Sequence, residues 1–358
     1  MPRISITPHW NAGAPGAEAI DVTGLLTLLS AVHDTGSLAQ AARSLGLSYR
    51  HAWGRLKAAE ALFEGPLIDA GRGRGSTLTD LALKLLWADR RIAARLSPML
   101  ESVASELEAD LGKTAPAERL NLRLAASHGF AVATLVAHLQ QAGLPVDLRY
   151  RSSLEAVAAL ARGESDLAGF HVPIGRLEAQ AAERYMPWLR ADRHSLVHLA
   201  VRTQGLFVAR GNPKRIRGVA DLARPDVRFV NRPEGSGTRV LTELLLEGSG
   251  VEARQVRGYD VTELTHAAVA AYVGSGMADA GIGVKAAAQH FGLHFIPLLR
   301  ERYFFAFETR AMGRAPIAPV LDRLRAPALR ASVAALPGYD AGHTGRVLGL
   351  AEAFPFAR

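Results

Sequence analysis

The sequence predicts an N-terminal all-α winged helix-turn-helix domain over residues 1–79, a long linker helix over residues 80–117 and a C-terminal two-lobed α/β domain over residues 118–358. Three patterns indicate this order: short helices around a glycine turn, one long apolar periodicity, and then repeated alternation of strands and helices. The length of 358 residues is enough for two or three domains with their own cores.

The composition excludes several kinds of chemistry. The chain contains no cysteine, which excludes disulfides, iron–sulfur clusters, cysteine zinc sites and thiol nucleophiles. Its first residues, MPRISITPHW, lack the apolar stretch of a secretory signal, and no apolar run reaches about 18 residues. We therefore expect a cytoplasmic protein with no membrane segment.

The charge of the chain is basic but unevenly spread. The formal net charge is +8, which favours an anionic partner. Residues 1–112 hold 11 Lys and Arg against 12 Asp and Glu, whereas residues 113–358 hold 31 against 22. The excess therefore lies in the C-terminal part, and the N-terminal part carries only a local basic cluster: Arg43, Arg50, Arg55 and Lys57.

The N-terminal domain begins with three helical segments. Each follows an Asp or Ser whose side chain can accept the free backbone N–H groups of the first helical turn. The segments are 22–32 after Asp21, 38–45 after Ser37, and 49–63 after Ser48. Gly36 ends the first segment and Gly46 makes the tight turn between the other two, which is the helix-turn-helix pattern.

The third helical segment has two faces. Its apolar residues recur at helical spacing and are expected to face the core: Ala52, Trp53, Leu56, Ala59 and Phe63. Other side chains stay outside near its start, the end that reaches base edges in such motifs: Tyr49, Arg50, His51 and Arg55. A basic helix surface is also typical of an ordinary solvated face, which is the alternative.

A hairpin rich in glycine and arginine follows the third helix. Residues 66–69 and 76–79 are short extended segments around the loop AGRGRG. Such a loop is typical of a wing that approaches the DNA backbone, with Arg72 and Arg74 meeting phosphate. The candidate DNA-binding residues are therefore Ser37, Ser48, Tyr49, Arg50, His51, Arg55, Arg72 and Arg74.

The N-terminal domain resembles that of ModE-type molybdate-responsive regulators in the string TGSLAQAARSLGLSYRHAWGRLKAAE followed by GRGRGSTLTDLALKLL. LysR-type regulators share a looser version of it. The resemblance covers roughly residues 20–112, and the run GLSYRHAWGRL is its specific part. It implies that this domain binds double-stranded DNA.

The linker segment, residues 80–111, repeats Leu, Ile and Val at helical spacing. Pro98, preceded by the capping residue Ser97, predicts a kink or two helices. The apolar stripe favours dimerisation through this helix, and packing against its own domain is the alternative. Residues 112–117 are typical of a linker.

The C-terminal domain alternates strands and helices. Strands are predicted at residues 121–128, 146–152 and 166–172, and a long extended segment at 196–209. Shorter units follow, including two separate strands in LHFIPL and RYFFAFE. This alternation with a crossing strand in mid-chain is typical of a two-lobed binding fold, in which ligands bind beyond the strand C-termini.

Three loops follow predicted strands and open helices. They contain residues 127–129, 151–153 and 231–239, and each offers hydroxyls and free backbone N–H groups at a helix N-terminus, where an anion is favoured. Gly235 and Gly237 let the backbone close around an oxyanion. None of the loops supplies the set of carboxylates that would chelate a cation. Ordinary helix capping remains the alternative for any one loop alone.

This domain resembles the periplasmic-binding-protein-like (PBP-like) domain attached to ModE-type winged helices. The strings that carry the resemblance include AASHG, RSSLEAVAALARGESDLAGFHVP and FVNRPEGSGTR, over about residues 119–305. It implies oxyanion sensing through Ser127, Ser153 and the Gly235–Arg239 loop, with His171 and Tyr272 as wall residues. The candidate ligand-binding residues are Ser127, His128, Ser152, Ser153, His171, Gly235, Ser236, Gly237, Thr238, Arg239 and Tyr272.

One position departs from the pattern of these relatives. Phe304 stands where many of them have an acid, so we expect the lobe-closing end of the pocket to differ.

The sequence therefore predicts a one-component transcriptional regulator. It has no HExxH, P-loop or GxSxG motif, so we expect no enzyme activity. The predicted partners are a pseudo-palindromic DNA operator, a second copy (as a homodimer or a dimer of dimers), and molybdate or tungstate as effector, without a cofactor or a cationic metal. Two alternatives stay open: a small organic carboxylate as effector, or an intracellular oxyanion-binding protein that does not bind DNA.

Overall fold

The computed structural model describes residues 4–16, 18–71, 75–112 and 121–355. Within these ranges the chain forms two compact units, Thr7–Leu96 and a unit that starts at Ser97 and also includes residues up to Ile6. The division falls inside a long helix, and the domain boundaries at residues 79 and 117 stay predictions. No helix in the described part is long and apolar enough to cross a membrane.

The N-terminal unit contains the predicted helix-turn-helix. Its elements are β1 (Asn11–Ala12), β2 (Ile20–Asp21), α1 (Val22–Thr35), α2 (Leu38–Ser44), α3 (Tyr49–Leu62), β3 (Ile68–Gly71), β4 (Gly75–Leu78) and the start of α4 (Asp80–Gly112). The three predicted caps are confirmed, each accepting a backbone N–H: Asp21 from Gly24, Ser37 from Gln40, and Ser48 from His51. Strands β3 and β4 pair as an antiparallel hairpin where the wing was expected.

The core of this unit lies under α1 and α3. Helix α1 buries Val22, Leu25, Leu26, Leu28, Leu29 and Val32, and α3 buries Ala52, Leu56 and Ala59. The prediction that Trp53 joins this core is wrong, because its side chain is 43% exposed. Ala52 occupies the buried position, and Trp53 lies about 100° further round the helix.

Helix α4 continues through Pro98 as a single helix of 33 residues. The alternative of two helices that restart at Ser97 is therefore wrong. Beyond Pro98 the helix lies against an edge strand, where the Ser105 hydroxyl donates to the Val146 carbonyl at 2.8 Å and accepts the Leu148 N–H at 2.7 Å. These buried hydrogen bonds hold the second half of the helix in place, so the backbone bond lost at the proline does not end it.

The C-terminal unit is built on one mixed sheet, nine-stranded within the described residues. Its strands are β5 (Leu122–Ala126), β6 (Val146–Tyr150), β7 (Leu167–Pro173), β8 (His194–Val208), β9 (Phe229–Val230), β10 (Ala280–Val284), β11 (His294–Glu308), β12 (Tyr339–Asp340) and β13 (Val347–Gly349). The order is β6-β5-β7-β11-β8-β10-β9, with β12 and β13 pairing along β8. The β5–β6, β5–β7 and β9–β10 pairs are parallel.

Two long antiparallel strands, β8 and β11, join the halves of this sheet. Strand β7 flanks β11 at residues 301–306, and β10 flanks β8 at residues 204–208, so the halves meet near the middle of both strands. The sequence predicted two strands where β11 is one. A register shift between Pro297 and Leu299 accommodates the proline within it.

Helices cover both faces of the sheet. They are α5 (Phe130–Gln141), α6 (Ser153–Ala161), α7 (Glu178–Glu183), α8 (Gly237–Glu247), α9 (His266–Gly274), α10 (Lys285–His290), α11 (Ile317–Arg325), α12 (Pro327–Ala334) and α13 (Leu350–Ala353). Successive strand residues enter different apolar clusters, as with Leu124 and Ala125 in one half and Leu206 and Phe207 in the other. Each half thus has a core on both faces, which is the predicted two-lobed α/β fold.

Candidate effector site and DNA-binding surface

Helix α3 exposes an aromatic pair. Tyr49 and Trp53 are 54% and 43% exposed, and their rings stack with centroids 6.2 Å apart. The Lys57 amino group lies 4.6 Å above the indole centroid. The spacing of four residues places all three side chains on one stripe of the helix. An exposed apolar and cationic stripe of this kind is suited to contact another molecule.

The cationic residues of α3 differ in their partners. Arg50 and His51 are exposed. Arg55 instead forms an ion pair with Asp21, the cap of α1. The Gly24 N–H and the Arg55 guanidinium together hold the pKa of Asp21 below its ordinary value. Arg55 therefore ties α3 to α1, whereas the Arg50 charge faces solvent.

A surface groove of about 600 Å³ brings several predicted DNA-binding residues together. Ser48, Arg50, His51 and Arg55 all line it. Ser37 lies apart from these at the start of α2, where its hydroxyl caps the helix. Arg72 and Arg74 lie outside the described residues.

In the C-terminal unit, the N-termini of α6 and α8 meet. A Cβ atom on Gly237 would lie 3.3 Å from both Ser153 Oγ and His171 Nδ1. Gly235 has φ +75°, and a Cβ there would lie 3.2 Å from Ser152 Oγ. Only glycine adopts this backbone easily and permits so close an approach. The predicted loops 151–153 and 231–239 are thus brought together.

Helices α5 and α9 both begin near Arg202. Gly129 precedes α5, and a Cβ atom on it would lie 3.6 Å from Arg202 Nη1. His266 is the first residue of α9, and the charges of Arg232 and Arg202 act on its imidazole. Four helix N-termini therefore surround one buried polar cluster, and their dipoles favour an anion there.

An ion pair lies at the centre of this cluster. Arg202 on β8 and Glu301 on β11 are cross-strand partners, almost fully buried, with Nε and Oε1 2.5 Å apart. The Gln204 side-chain amide donates to Glu301 at 3.0 Å and to the Thr238 hydroxyl at 3.2 Å. This second hydrogen bond connects α8 to the place where the two halves of the sheet meet.

Arg232, which follows β9, is a second buried guanidinium. Its Nη2 donates to the Leu264 carbonyl at 2.7 Å, and no ion pair within the described residues includes it. Burial, and then repulsion by Arg202, lower its pKa to about 9. It is therefore charged at neutral pH, while the carboxylate of Glu301 is already engaged by Arg202.

Two buried histidines complete the cluster. His171 Nδ1 lies 3.2 Å from Ser153 Oγ, and its ring meets the Tyr303 ring edge-on at 4.3 Å. Burial, and then the charges of Arg202 and Arg232, hold the pKa of His171 well below its ordinary value, and the same causes act on His266. Both imidazoles are thus neutral at pH 7.

Several buried atoms of the cluster lack a well-formed hydrogen bond within the part of the chain that the structure describes. They are Ser127 Oγ, His171 Nε2, Arg202 Nη2, Gln204 Oε1, Arg232 Nε, His266 Nδ1 and the Tyr303 hydroxyl. Two of these groups still interact loosely, Ser127 with the Tyr303 hydroxyl and Arg202 with Tyr339. Each buried group that stays unsatisfied costs about 1–3 kcal/mol. Because guanidinium groups can only donate, the cluster is suited to a ligand rich in acceptor oxygens.

The described residues offer no comparable site for a cation. Among the residues that the structure describes, no three His, Asp or Glu side chains come together as a metal site.

The predicted ligand-binding residues divide into two groups. Ser127, Ser153, His171, Gly235, Gly237 and Thr238 lie in or against the cluster. The hydroxyls of Ser152 and Ser236 instead cap α6 and α8, accepting the N–H groups of Glu155 and Arg239.

Two predicted ligand contacts are engaged elsewhere. The Arg239 guanidinium lies 4.0 Å over the Tyr259 ring and pairs with Glu243 at 3.1 Å. Tyr272 is six residues beyond His266, which is about 9 Å along α9, and it packs on an apolar cluster.

His128 faces α4. Its Nε2 lies 3.3 Å from Ser97 Oγ and 3.5 Å from Glu101 Oε1, and its ring meets the Tyr150 ring at 4.9 Å.

Phe304 does not line the cluster. Its ring packs between Phe170 and Phe354, 5.9 and 5.8 Å away, in an apolar core. Glu301, on the same strand, supplies an acid to the cluster, so the expected difference at Phe304 does not concern the residues that form it.

The sequence reasoning missed several residues of the cluster: Arg202, Gln204, Arg232, His266, Glu301 and Tyr303. The sequence offers a signal for two of them, because Arg202 and Gln204 are polar residues two apart in the mostly apolar string LVHLAVRTQGLFVA. Alternate strand residues share a face, so a long-range polar cluster could have been inferred there.

Two protein families match this chain. The PBP superfamily domain matches residues 136–325, and the bacterial regulatory helix-turn-helix protein family of LysR type matches residues 24–83. The chain therefore belongs to the PBP superfamily and carries a LysR-type helix-turn-helix domain. It is a DNA-binding regulator with a PBP-like effector-binding domain, and regulators of this type are not enzymes, as the sequence predicted.

Individual relatives cover different parts of the chain. YvgK of Bacillus subtilis (strain 168), an uncharacterized protein, is 33% identical over 216 residues, which is 59% of this chain and 68% of YvgK. The molybdenum-pterin-binding protein MopB of Rhodobacter capsulatus is 35% identical over 113 residues, 30% of this chain and 40% of MopB. The structure of CbnR, a LysR family transcriptional regulator, matches 84% of this chain and 99% of CbnR at 22% identity and a TM-score of 0.39.

Proposed function

We propose that this protein is a one-component transcriptional regulator whose PBP-like domain binds a small tetrahedral oxyanion, molybdate or tungstate, as its effector. The observation that carries the proposal is the buried cluster of Arg202 and Arg232, two guanidinium charges with one carboxylate and several unsatisfied donors. The similarity of 30% of this chain to MopB, a molybdenum-pterin-binding protein by name, favours a ligand that contains molybdenum.

The directions of the donors favour a compact oxyanion. They come from β8, from the loop after β9, from β11 and from helix N-termini on both halves of the sheet, so they surround a ligand. A small organic carboxylate, which arginine binds side-on, would use fewer of these donors and is the alternative effector.

DNA binding is assigned to the exposed surface of α3. Arg50 is positioned for a base edge or a phosphate, since its charge has no partner in the folded unit among the described residues. The stacked rings of Tyr49 and Trp53 offer an apolar surface of the kind that contacts thymine methyl groups. Arg55 contributes by holding α3 against α1 through Asp21.

Dimerisation is assigned to the exposed stripe of α4. Met99, Val103 and Leu107 are 61%, 42% and 43% exposed and follow each other every four residues. The partner is a second copy of this helix, because an operator with two half-sites requires two recognition helices. The Ser105 side of the same helix is already occupied by β6.

A polar network connects the effector cluster to α4. Ser127 belongs to the cluster, and the next residue, His128, reaches Glu101 on α4, which also accepts from the Tyr150 hydroxyl at 2.9 Å. Burial alone would raise the pKa of Glu101, but the contacts with His128, Ser97 and Tyr150 lower it overall. A change at Ser127 on ligand binding would therefore alter the contacts between the domain and its linker helix. Through that helix it would alter the placement of the two recognition helices.

The effector is tested by differential scanning fluorimetry and calorimetry with molybdate, tungstate, sulfate and small carboxylates. Molybdate or tungstate at 100 times its dissociation constant is expected to stabilise the protein by about 2.7 kcal/mol. Arg232→Met is expected to abolish that effect and to raise the stability of the ligand-free protein by about 1–3 kcal/mol, because it removes a buried charge.

The matched control for this experiment is Arg228→Met, which removes a half-exposed arginine paired with Asp279 on the surface. It should keep full oxyanion binding. If no oxyanion stabilises the wild-type protein, the effector proposal is wrong, and stabilisation by carboxylates alone would support the alternative ligand.

The recognition surface is tested by titrating operator DNA and unrelated DNA against exposed-residue variants. Arg50→Ala should weaken operator binding about 10- to 100-fold, the value of a good base contact. Trp53→Ala should lower the ratio of specific to non-specific affinity while leaving the salt dependence unchanged, because the ring releases no counter-ions.

Arg254→Ala serves as the control for these variants, since Arg254 is a surface arginine, 81% exposed, in the other unit. Unchanged operator affinity in both Arg50→Ala and Trp53→Ala would contradict the assignment of α3.

The dimer is tested by sedimentation velocity. The wild-type chain of 38.2 kDa should sediment as a dimer or a larger even assembly. Val103→Glu combined with Leu107→Glu should shift it to the monomer, because charged groups would be buried in the interface. Glu106→Gln changes an exposed residue on the same helical turn and should leave the assembly state unchanged. A wild-type monomer at micromolar concentration would exclude this role for α4.

A further inference from the structure

The charge of the effector cluster does not match that of its proposed ligand. Arg202 and Arg232 contribute two positive charges, and Glu301 contributes one negative charge. Molybdate and tungstate carry two negative charges at neutral pH. A bound dianion would therefore leave one excess negative charge in a site that is almost fully buried. An isolated buried charge is costly, and proteins commonly neutralise it by taking up or releasing a proton.

His171 is placed to hold such a proton. Its Nδ1 is within hydrogen-bond distance of Ser153 Oγ at 3.2 Å, while its Nε2 is buried and has no partner among the described residues. In the charged form both ring nitrogens donate. The Ser153 oxygen would then accept from Nδ1, and an anion oxygen from Nε2, so that the protonated ring needs no rearrangement of the protein.

The surroundings of His171 explain why it is neutral without a ligand. Arg202 on β8 and Arg232 after β9 are the cationic groups that act on it. The other titratable groups of the cluster are Glu301 (held by Arg202 and Gln204), Tyr303 against its ring, Tyr185 donating to its carbonyl, and His266 on α9. Glu263 is buried ahead of α9 and does not bear on the pKa of His171. Burial is the larger cause of the low pKa of His171, and the two arginines add to it. A bound dianion screens both arginines and supplies the opposite charge that a protonated ring needs in order to stay buried.

His266 is less suited to the same role. A Cβ atom on Gly283 would lie 2.8 Å from His266 Nδ1 and would also meet the Phe207 ring. This nitrogen therefore lies beside an aromatic side chain, and among the described residues it has no hydrogen-bond partner comparable to Ser153.

We propose that His171 takes up one proton from solvent when a doubly charged tetrahedral oxyanion binds, so that the cluster selects its ligand by charge as well as by shape. This inference rests on the proposed effector function. Its sign is fixed: binding consumes a proton, so the affinity for a dianion rises as pH falls, by up to tenfold per pH unit. A monoanion of the same shape neutralises the cluster without a proton, and its affinity should be independent of pH over the same range.

Tungstate and perrhenate provide the matched pair of probes, since both are tetrahedral oxyanions of similar size with charges of −2 and −1. Titration calorimetry at pH 7.0 in buffers of different ionisation enthalpy gives the number of protons exchanged per ligand. The full-length wild-type protein is expected to take up close to one proton with tungstate and none with perrhenate. His171→Gln should bind tungstate more weakly and without proton uptake. His290→Gln, at an exposed position, should behave as wild type.

The outcomes separate this inference from the proposed function. Tungstate binding with no proton uptake, and with an affinity independent of pH between 6 and 8, overturns the proton proposal and leaves the effector assignment standing. Full uptake in His171→Gln but none in His266→Gln overturns the choice of His171. Absence of binding by any oxyanion overturns the proposed function itself. Should His171→Gln fail to fold, the contrast between tungstate and perrhenate in the wild-type protein still decides the proposal.

Discussion

The buried positive charge at the centre of the PBP-like domain is the constraint on which the rest of the site depends. Arg202 lies where the two halves of the sheet meet on β8, and Arg232 lies at the carboxyl end of β9. Among the described residues, Glu301 is the carboxylate that acts on both guanidinium groups. Leaving such charge uncompensated opposes folding, so binding of an anion at the cluster would stabilise the domain. The surrounding helix N-termini add to the positive potential, and a bound anion would relieve both.

The same cluster offers a route by which ligand binding in one domain would influence the other. Its residues come from both halves of the sheet, so a ligand that contacts them all favours one arrangement of those halves over others. Ser127 lies in the cluster and His128 contacts α4, so the candidate effector site lies one residue from a contact with the linker helix. The coupling requires only that the ligand bind more tightly to one arrangement than to the other.

Local patterns in the sequence predicted the fold well. Caps such as Asp21, Ser37 and Ser48 determine where helices begin through contacts within four residues, so they can be read directly. Pro98 and Trp53 show where local rules fail. Docking on β6 keeps α4 continuous through the proline, and the packing of Ala52 leaves the neighbouring indole outside. In both cases a tertiary contact outweighs the local preference.

The candidate effector site was predicted only in part, for the same reason. Serines and glycines at helix starts are visible in the sequence, and Ser153, His171 and Gly237 do meet. The charged residues of the cluster could not be predicted in this way. Arg202 pairs with Glu301 across 99 residues of sequence, and Arg232 comes close to both only in the folded domain. Arg239, which the loop motif favoured, is held by Glu243 and Tyr259 instead.

The central claim, that an anion in this cluster controls DNA binding, is tested most directly by measuring operator affinity with and without saturating molybdate or tungstate at constant ionic strength. The account predicts a change of at least fivefold in the wild-type protein, with the same factor in anion affinity when DNA is bound, and no change in Arg232→Met. An operator affinity that is identical with and without a bound anion would contradict it.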